Sequence, residues 1–345
     1  MFGRRAVLGG IGGLAAGLAF PAGAVPARPL RKPSRLRLGD VVGLIEPAGF
    51  SDDLLDVEAV KQMIAAMGLV PRVGRHVASR YGYLAGTDRE RASDVNAMFE
   101  DEEVRAVFTV RGGWGCARLL PFLDWDVIRA NPKLLIGFSD VTALHLAFAA
   151  RAGFPSIHGP NAANSWNRIS WESLWRLAFA GETPVLGPPE AEPADPFDPE
   201  GRRITTIRPG KARGRLVGGN LSVLTALVGT PWLPDFEGAI LFLEDVGEAE
   251  YRIDRMLSQL ALSGILSKVA GVIFGQCTRC TAGVPGYTGL TIPQLLEQYF
   301  APLGVPAFSG ANVGHVSNQL CLPEGVEVEI DAGPGTIRVL EPVAV

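Results

Sequence analysis

Sulfur and imidazole are scarce in this chain: 345 residues hold only four cysteines and four histidines. Cysteine at that density cannot serve as a disulfide framework, so the fold has to rest on a packed apolar core. Basic charge is not in excess either. Lys and Arg number 32 against 36 Asp and Glu, and the net charge of -4 gives no general electrostatic case for a nucleic-acid partner. No internal repeat is present, and glycine and proline follow no collagen-like period. After residue 24 no stretch has the length and apolarity of a membrane helix, which needs about 20 residues. What remains is ordinary globular composition, 47% hydrophobic and 20% charged, which argues against disorder. The length exceeds a typical domain of about 100–200 residues, so two packed lobes are expected.

Acids are absent before Asp40. Arg4 and Arg5 precede a mildly apolar run from Ala6 to Phe20, and Pro21 then leads into Ala22-Gly23-Ala24, a small-residue cleavage pattern. The segment resembles a twin-arginine export signal. Residues 1–24 are therefore expected to be removed on export, leaving a periplasmic or exported protein with no stable membrane insertion. The bland alternatives are an uncleaved anchor or a cytoplasmic tail.

Beyond the signal, short apolar runs alternate with helical patterns. Val41–Ile45 reads as a strand, and Asp52 or Asp53 can cap the helix marked by Leu54, Val57, Val60, Ile64 and Met67. A helix follows over about Asp88–Glu100, then strands at Val104–Val110 and Lys133–Gly137, then a helix from Asp140 to Arg151. Strand–helix alternation indicates a mostly parallel sheet covered on both faces. Six prolines between Thr183 and Arg203, interleaved with acids, read as an exposed connection. The expected organisation is an N-terminal α/β domain over 35–180, a Pro-rich linker over 181–212 and a C-terminal domain over 213–345. The second lobe is expected to have strands at Ala239–Leu243 and Val269–Gly275, helices near Tyr251–Ser263 and Pro293–Phe300, and two short strands after Glu324.

Gly137-Phe138-Ser139-Asp140 sits between an apolar strand and a helix. A serine on such a turn is exposed, and neighbouring N–H groups and the helix dipole can hold an oxyanion. Val141 replaces the second glycine of the full motif, and Ser139 or Asp140 could equally be a helix cap. Arg111-Gly112-Gly113-Trp114-Gly115 follows another strand; it lacks a Walker lysine and Gly-x-Gly-x-x-Gly, so an oxyanion or substrate loop, or a plain tight turn, suits it better than a nucleotide site. Glu244 and Asp245 follow the run Phe242-Leu243, where an acid can orient a histidine or favour a helix N-terminus. His315 lies in a glycine-bounded loop and can be presented from it. His145 and His158 are placed on a helix and in a loop. Cys277-x-x-Cys280 offers too few ligands for zinc; a local disulfide or free thiols remain, and Cys116 and Cys321 read as buried filler.

Taken together, Val110–Leu120, Asn131-Pro132-Lys133, Gly137–Leu144, Gly218-Gly219-Asn220-Leu221, Phe242–Glu248 with Tyr251–Arg255, and Val313-Gly314-His315 resemble the motifs of the LD-carboxypeptidase family in the same order. That family includes the microcin-immunity peptidases. The resemblance covers about Arg35 to the C-terminus. It implies a Rossmann- or flavodoxin-like N-terminal sheet joined to a smaller α/β C-terminal lobe, with the site between them and usually a homodimer. It implies a serine peptidase with Ser139 as nucleophile, His315 as base and Glu244 as the acid, with Glu248 as the fallback. The implied oxyanion donors are the N–H groups of Asp140 and of Gly112 or Gly113, with Arg111 as a candidate for the substrate carboxylate. No metal or cofactor is required. The implied substrate is a murein tetrapeptide, cleaved before its terminal D-alanine. A microcin-type conjugate, or binding without turnover, is the alternative.

Overall fold

The computed structural model describes residues 31–51, 57–187, 204–281 and 287–345. The segment expected as an export signal, the Asp52 or Asp53 expected as a cap and most of the Pro-rich stretch lie outside the described residues.

The first lobe runs β1 (Val41–Ile45), α1 (Val57–Ala66), β2 (Val70–Val73), α2 (Asp88–Glu100), β3 (Val104–Thr109), α3 (Cys116–Leu119), α4 (Trp125–Ala130), β4 (Leu134–Gly137), α5 (Thr142–Arg151), β5 (Ser156–His158) and α6 (Arg168–Leu174). Thr87 and Glu90 start α2 with a reciprocal capping box. The second lobe adds β6 (Val185–Leu186), β7 (Thr205–Arg208), β8 (Lys211–Asn220), α7 (Leu221–Ala226), β9 (Ile240–Val246), α8 (Glu250–Leu262), β10 (Gly271–Thr278), α9 (Ile292–Phe300), β11 (Ala307–Ser309), β12 (Leu322–Glu324), β13 (Glu327–Asp331) and β14 (Thr336–Val339). No helix among the described residues is long and apolar enough to cross a membrane.

Six strands form one sheet in the order β12-β5-β4-β3-β1-β2. All its neighbours are parallel except β12, which returns from the far end of the chain to lie antiparallel on β5. Eight strands form the second sheet, β6-β14-β13-β8-β9-β10-β11-β7, with a parallel centre from β8 to β11. The expected α/β architecture is the one observed. β6 and β7 stand at the described ends of the stretch expected as a linker, and both belong to the second sheet.

Side chains alternate across each strand, so every central strand feeds two apolar layers. On β9, Ile240 and Phe242 enter one layer, with Phe108 and Ile136 of the first sheet. Leu241 and Leu243 enter the other, with Val107, Leu135 and Phe148. Each layer therefore runs through both lobes. A buried Leu, Ile or Phe contributes about 1.5–3 kcal/mol, and these shared layers hold the lobes in one fixed relation.

Three placements differ from expectation. β9 continues to Val246, so Glu244 and Asp245 lie on the strand and not after it. β10 continues to Thr278 and carries Cys277 on strand, not loop. His158 is the last residue of β5 and is fully buried. In each case sheet pairing extends the strand through polar residues that a hydrophobic run alone would have ended.

Candidate active site

β4 ends at Gly137, and a 3-10 turn over Ser139–Val141 leads into α5. Ser139 sits in that turn at φ +66. A left-handed serine is strained by about 1–3 kcal/mol, a cost kept where surroundings enforce it. No side chain caps this turn or α5. Asp140 is buried and aims Oδ2 at the Cys116 N–H, 2.7 Å away, tying the turn to the start of α3. The helix-cap alternative for Ser139 and Asp140 is therefore not the one the structure adopts. Burial pushes the Asp140 carboxyl up, opposed by the Cys116 N–H and the Arg91 guanidinium.

His315 reaches Ser139 from the other lobe. Its Nε2 is 3.1 Å from Ser139 Oγ, and its Nδ1 is 2.8 Å from Glu244 Oε2. Glu244 is fully buried, and its Oε1 accepts from Asn220 Nδ2 at 3.2 Å. Asn220 cannot turn around, because its Oδ1 accepts the Val223 N–H at the start of α7. Gly314 precedes the histidine at φ +100, and a Cβ there would collide with Glu244 Oε2. The Phe138 ring lies 4.8 Å from the imidazole. Glu248 stands apart, in a 3.5 Å ion pair with Arg252 one helical turn on. Asp245 faces Ser222, accepting its N–H and its hydroxyl. Burial raises the Asp245 carboxyl to about 6.

The glycine loop closes the other side. A Cβ on Gly112 would stand 2.8 Å from Ser139 Cβ and 3.1 Å from its Oγ, so only glycine lets this backbone lie against the serine. The Gly112 carbonyl accepts the Gly49 N–H at 3.3 Å, and Gly113 follows at φ +122. Arg111 turns back, donating from Nη1 to the Phe50 carbonyl at 2.7 Å. Beneath the loop, buried Arg91 donates to the carbonyls of Pro47, Gly86 and Gly115 and pairs with Asp88. Beside His315 opens a cavity of about 290 Å³, lined in part by Phe138, Asn164, Asn167, Ser317 and Gln319.

Ser139, Glu244, His315, Gly112, Gly113 and Asp140 thus converge, with Arg111 at the edge. Asn220 and Arg91 were not singled out for a role from sequence. Asn220 stood in a quoted motif and is a capping residue type; Arg91 looks like any charge on a helix. The other histidines are elsewhere. His145 is buried, bonded to Ser156 Oγ and to the Gly137 carbonyl, and burial depresses it to about 4. Burial also holds His158 well below its ordinary value, with His145 and His315 adding to it. Cys277 and Cys280 form a disulfide, while Cys116 and Cys321 are buried and free. Among the described residues no group of His, Cys, Asp or Glu could hold a metal.

Fold and site together define a two-sheet α/β protein with a Ser–His–Glu hydrogen-bonded chain of hydrolase type at the seam. The chain belongs to the LD-carboxypeptidase family: its N-terminal domain matches residues 42–159 and its C-terminal domain residues 213–330. The murein tetrapeptide carboxypeptidase of Pseudomonas aeruginosa is 38% identical over 248 residues, 69% of this chain and 77% of that protein. The crystal structure of muramoyltetrapeptide carboxypeptidase from Oxalobacter formigenes matches with TM-score 0.73 and 26% identity, over 87% of this chain and 97% of that one. A structure of MccF, the name of the microcin C7 self-immunity protein of Escherichia coli, in complex with glutamyl sulfamoyl guanosine matches with TM-score 0.81 and 25% identity, over 92% and 100%.

Proposed function

We propose that the chain is a serine-type LD-carboxypeptidase that releases the terminal D-alanine from murein tetrapeptides, in peptidoglycan recycling or remodelling. The observation that carries this reading is the continuous chain Glu244–His315–Ser139, with the serine held left-handed on a strand-to-helix turn. In the proposed reaction His315 Nε2 takes the Ser139 proton as the hydroxyl attacks the amide carbonyl. Glu244 fixes the Nδ1–H tautomer and stabilises the imidazolium. The N–H groups of Asp140 and of Gly112 or Gly113 meet the oxyanion, each donor contributing about 3 kcal/mol. His315 then returns the proton to the departing amine of D-alanine, and water releases the acyl group from Ser139. The departing D-alanine ends in a free carboxylate. Arg111 is the cation proposed for its carboxylate, since a guanidinium has five N–H donors and Phe50 takes a bond from one nitrogen.

The likeness to MccF supports a second reading, cleavage of an aminoacyl or peptidyl conjugate of microcin type. A non-catalytic binding protein on the same scaffold is the third. Mass spectrometry of products from a panel of murein peptides and an aminoacyl sulfamoyl nucleoside decides among them. D-alanine release supports the main reading, cleavage of the nucleoside conjugate alone supports the second, and binding without product the third. Export and homodimer assembly are proposed with it, for N-terminal sequencing and light scattering to test.

A further inference from the structure

The loop that presents His315 is held from one short segment of β10. Thr278 Oγ1 donates to the His315 carbonyl at 3.0 Å. Two residues earlier, the Gln276 N–H donates to the Val313 carbonyl at 3.1 Å, and its Nε2 to the Gly310 carbonyl at 2.9 Å. Between Gln276 and Thr278 stands Cys277, bonded to Cys280 with their Cα atoms 5.4 Å apart. The Thr278 carbonyl is itself tied, accepting the Gly247 N–H at 2.9 Å. Cys277 pairs in register with Asp245, the neighbour of Glu244 on β9. One end of β10 thus fixes the imidazole's carrier loop against the strand that carries its acid. The turn inside the disulfide is not relaxed: Arg279 stands at φ +58, a conformation a non-glycine residue adopts only when held. The cross-link closes that turn around Thr278.

We propose that Thr278 is a positioning residue for His315, and that the Cys277–Cys280 disulfide keeps it in place, so that full activity requires the oxidised pair. The inference rests on the reading of His315 as the base. Opening the pair takes a dithiol: its two thiols give two electrons and two protons, the Cys277–Cys280 bond breaks to two thiols, and the dithiol closes to its own disulfide. An oxidising compartment outside the cytoplasm keeps the bond closed.

The test uses the full chain and two rates: D-alanine release from tetrapeptide, and phosphonylation of Ser139 by a fluorophosphonate, which displaces fluoride and needs no murein. Thr278→Val is expected to lower kcat about tenfold with KM within about twofold, since a small displacement of a reacting group is felt in turnover. Thr278→Ser keeps the hydroxyl and should restore kcat to within about twofold. Dithiothreitol should slow the wild type by a similar factor, reversibly, and add little to the Thr278→Val loss, because both act through one contact. Cys277→Ser with Cys280→Ser should be slow and indifferent to the dithiol. Wild-type turnover in Thr278→Val overturns the proposal, as does an unchanged rate when mass spectrometry finds both cysteines reduced and alkylated. A fall in thermal midpoint without change in either rate also overturns it, leaving a structural role alone. If no D-alanine appears but phosphonylation follows the pattern, the positioning stands and the murein reading falls. If D-alanine is released and neither rate responds, the positioning falls alone.

Discussion

Replacing Glu244 by glutamine is expected to disable the enzyme through hydrogen-bond polarity, with shape conserved. The native carboxylate accepts from Asn220 Nδ2 on one oxygen and from His315 Nδ1 on the other. Asn220 must present its NH₂, because its oxygen is committed to the Val223 N–H. The glutamine oxygen in Glu244→Gln therefore faces Asn220, and its NH₂ faces His315. An NH₂ donor forces Nδ1 to accept, which leaves the proton on Nε2, facing Ser139, where a base is needed. Loss of the right tautomer together with the imidazolium's counter-charge lowers kcat by roughly 10⁴-fold, about 5.5 kcal/mol. A second change checks the cause. In Glu244→Gln with Asn220→Asp, one oxygen of the introduced aspartate keeps Val223 and the other accepts the glutamine NH₂, so the glutamine oxygen turns to His315. Asp245, which in the wild type accepts from Asn220 Nδ2 at 3.3 Å and whose carboxyl burial already raises to about 6, takes up a proton against the new carboxylate and donates it. At least about tenfold of the lost kcat should return. Glu248→Gln, which loses its pair with the exposed Arg252, should stay within about twofold. The assay is D-alanine release at saturating tetrapeptide, with thermal midpoints as the fold control. A Glu244→Gln protein within tenfold of wild type, or a double variant no better than the single, refutes the polarity argument.

Ser139→Ala should lower turnover by roughly 10⁴-fold or more, at a stability within about 0.5 kcal/mol of wild type, because alanine shares the left-handed strain; a well-folded, active variant would end the serine mechanism. Gly314→Ala should cut kcat by about 100-fold, since its methyl and the Glu244 carboxylate claim the same space; equal activity would show the loop adapts freely. Alongside His158, His145 should contribute to acid stability. Its folded value of about 4 lies below the ordinary 6.5, so its contribution is present above pH 6.5 and lost as pH falls towards 4, when the unfolded chain takes up the proton. That difference amounts to about 3 kcal/mol. Denaturant melts of wild type and His145→Gln across that window should differ in slope, and parallel curves would remove the assignment.

Three strands of the first sheet, β1, β3 and β4, and the turn at Ser139 were legible because apolar runs and helical periodicity are local signals; the short β2 and β5 were not. Alternation along β9 also placed Glu244 on the face of Phe242, and the strand keeps that parity through its polar end. What escaped was long-range. Nothing near Leu322–Glu324 says that it pairs with β5. Nor does the sequence near Arg111 say that its guanidinium turns back to Phe50. Asn220 reads as a helix cap, which it is; its second task, on Glu244, needs β9 beside β8. His158 looked like a loop residue before Gly159-Pro160; its pairing with Gly137 and Leu322, and the rings of Phe138 and Phe242 against it, account for its burial.

β12 also sets a timetable. On the ribosome the β5 edge of the first sheet stays open until residue 324 has emerged, and exposed edges invite wrong partners in partly made chains. Ser139 is synthesised early and His315 late, 176 positions apart, so the nascent chain carries its serine for more than half its length without its imidazole partner. On the proposed triad reading, a chain ended before the histidine has an unfinished sheet and no base, and turnover begins only when the strand that seals the edge arrives.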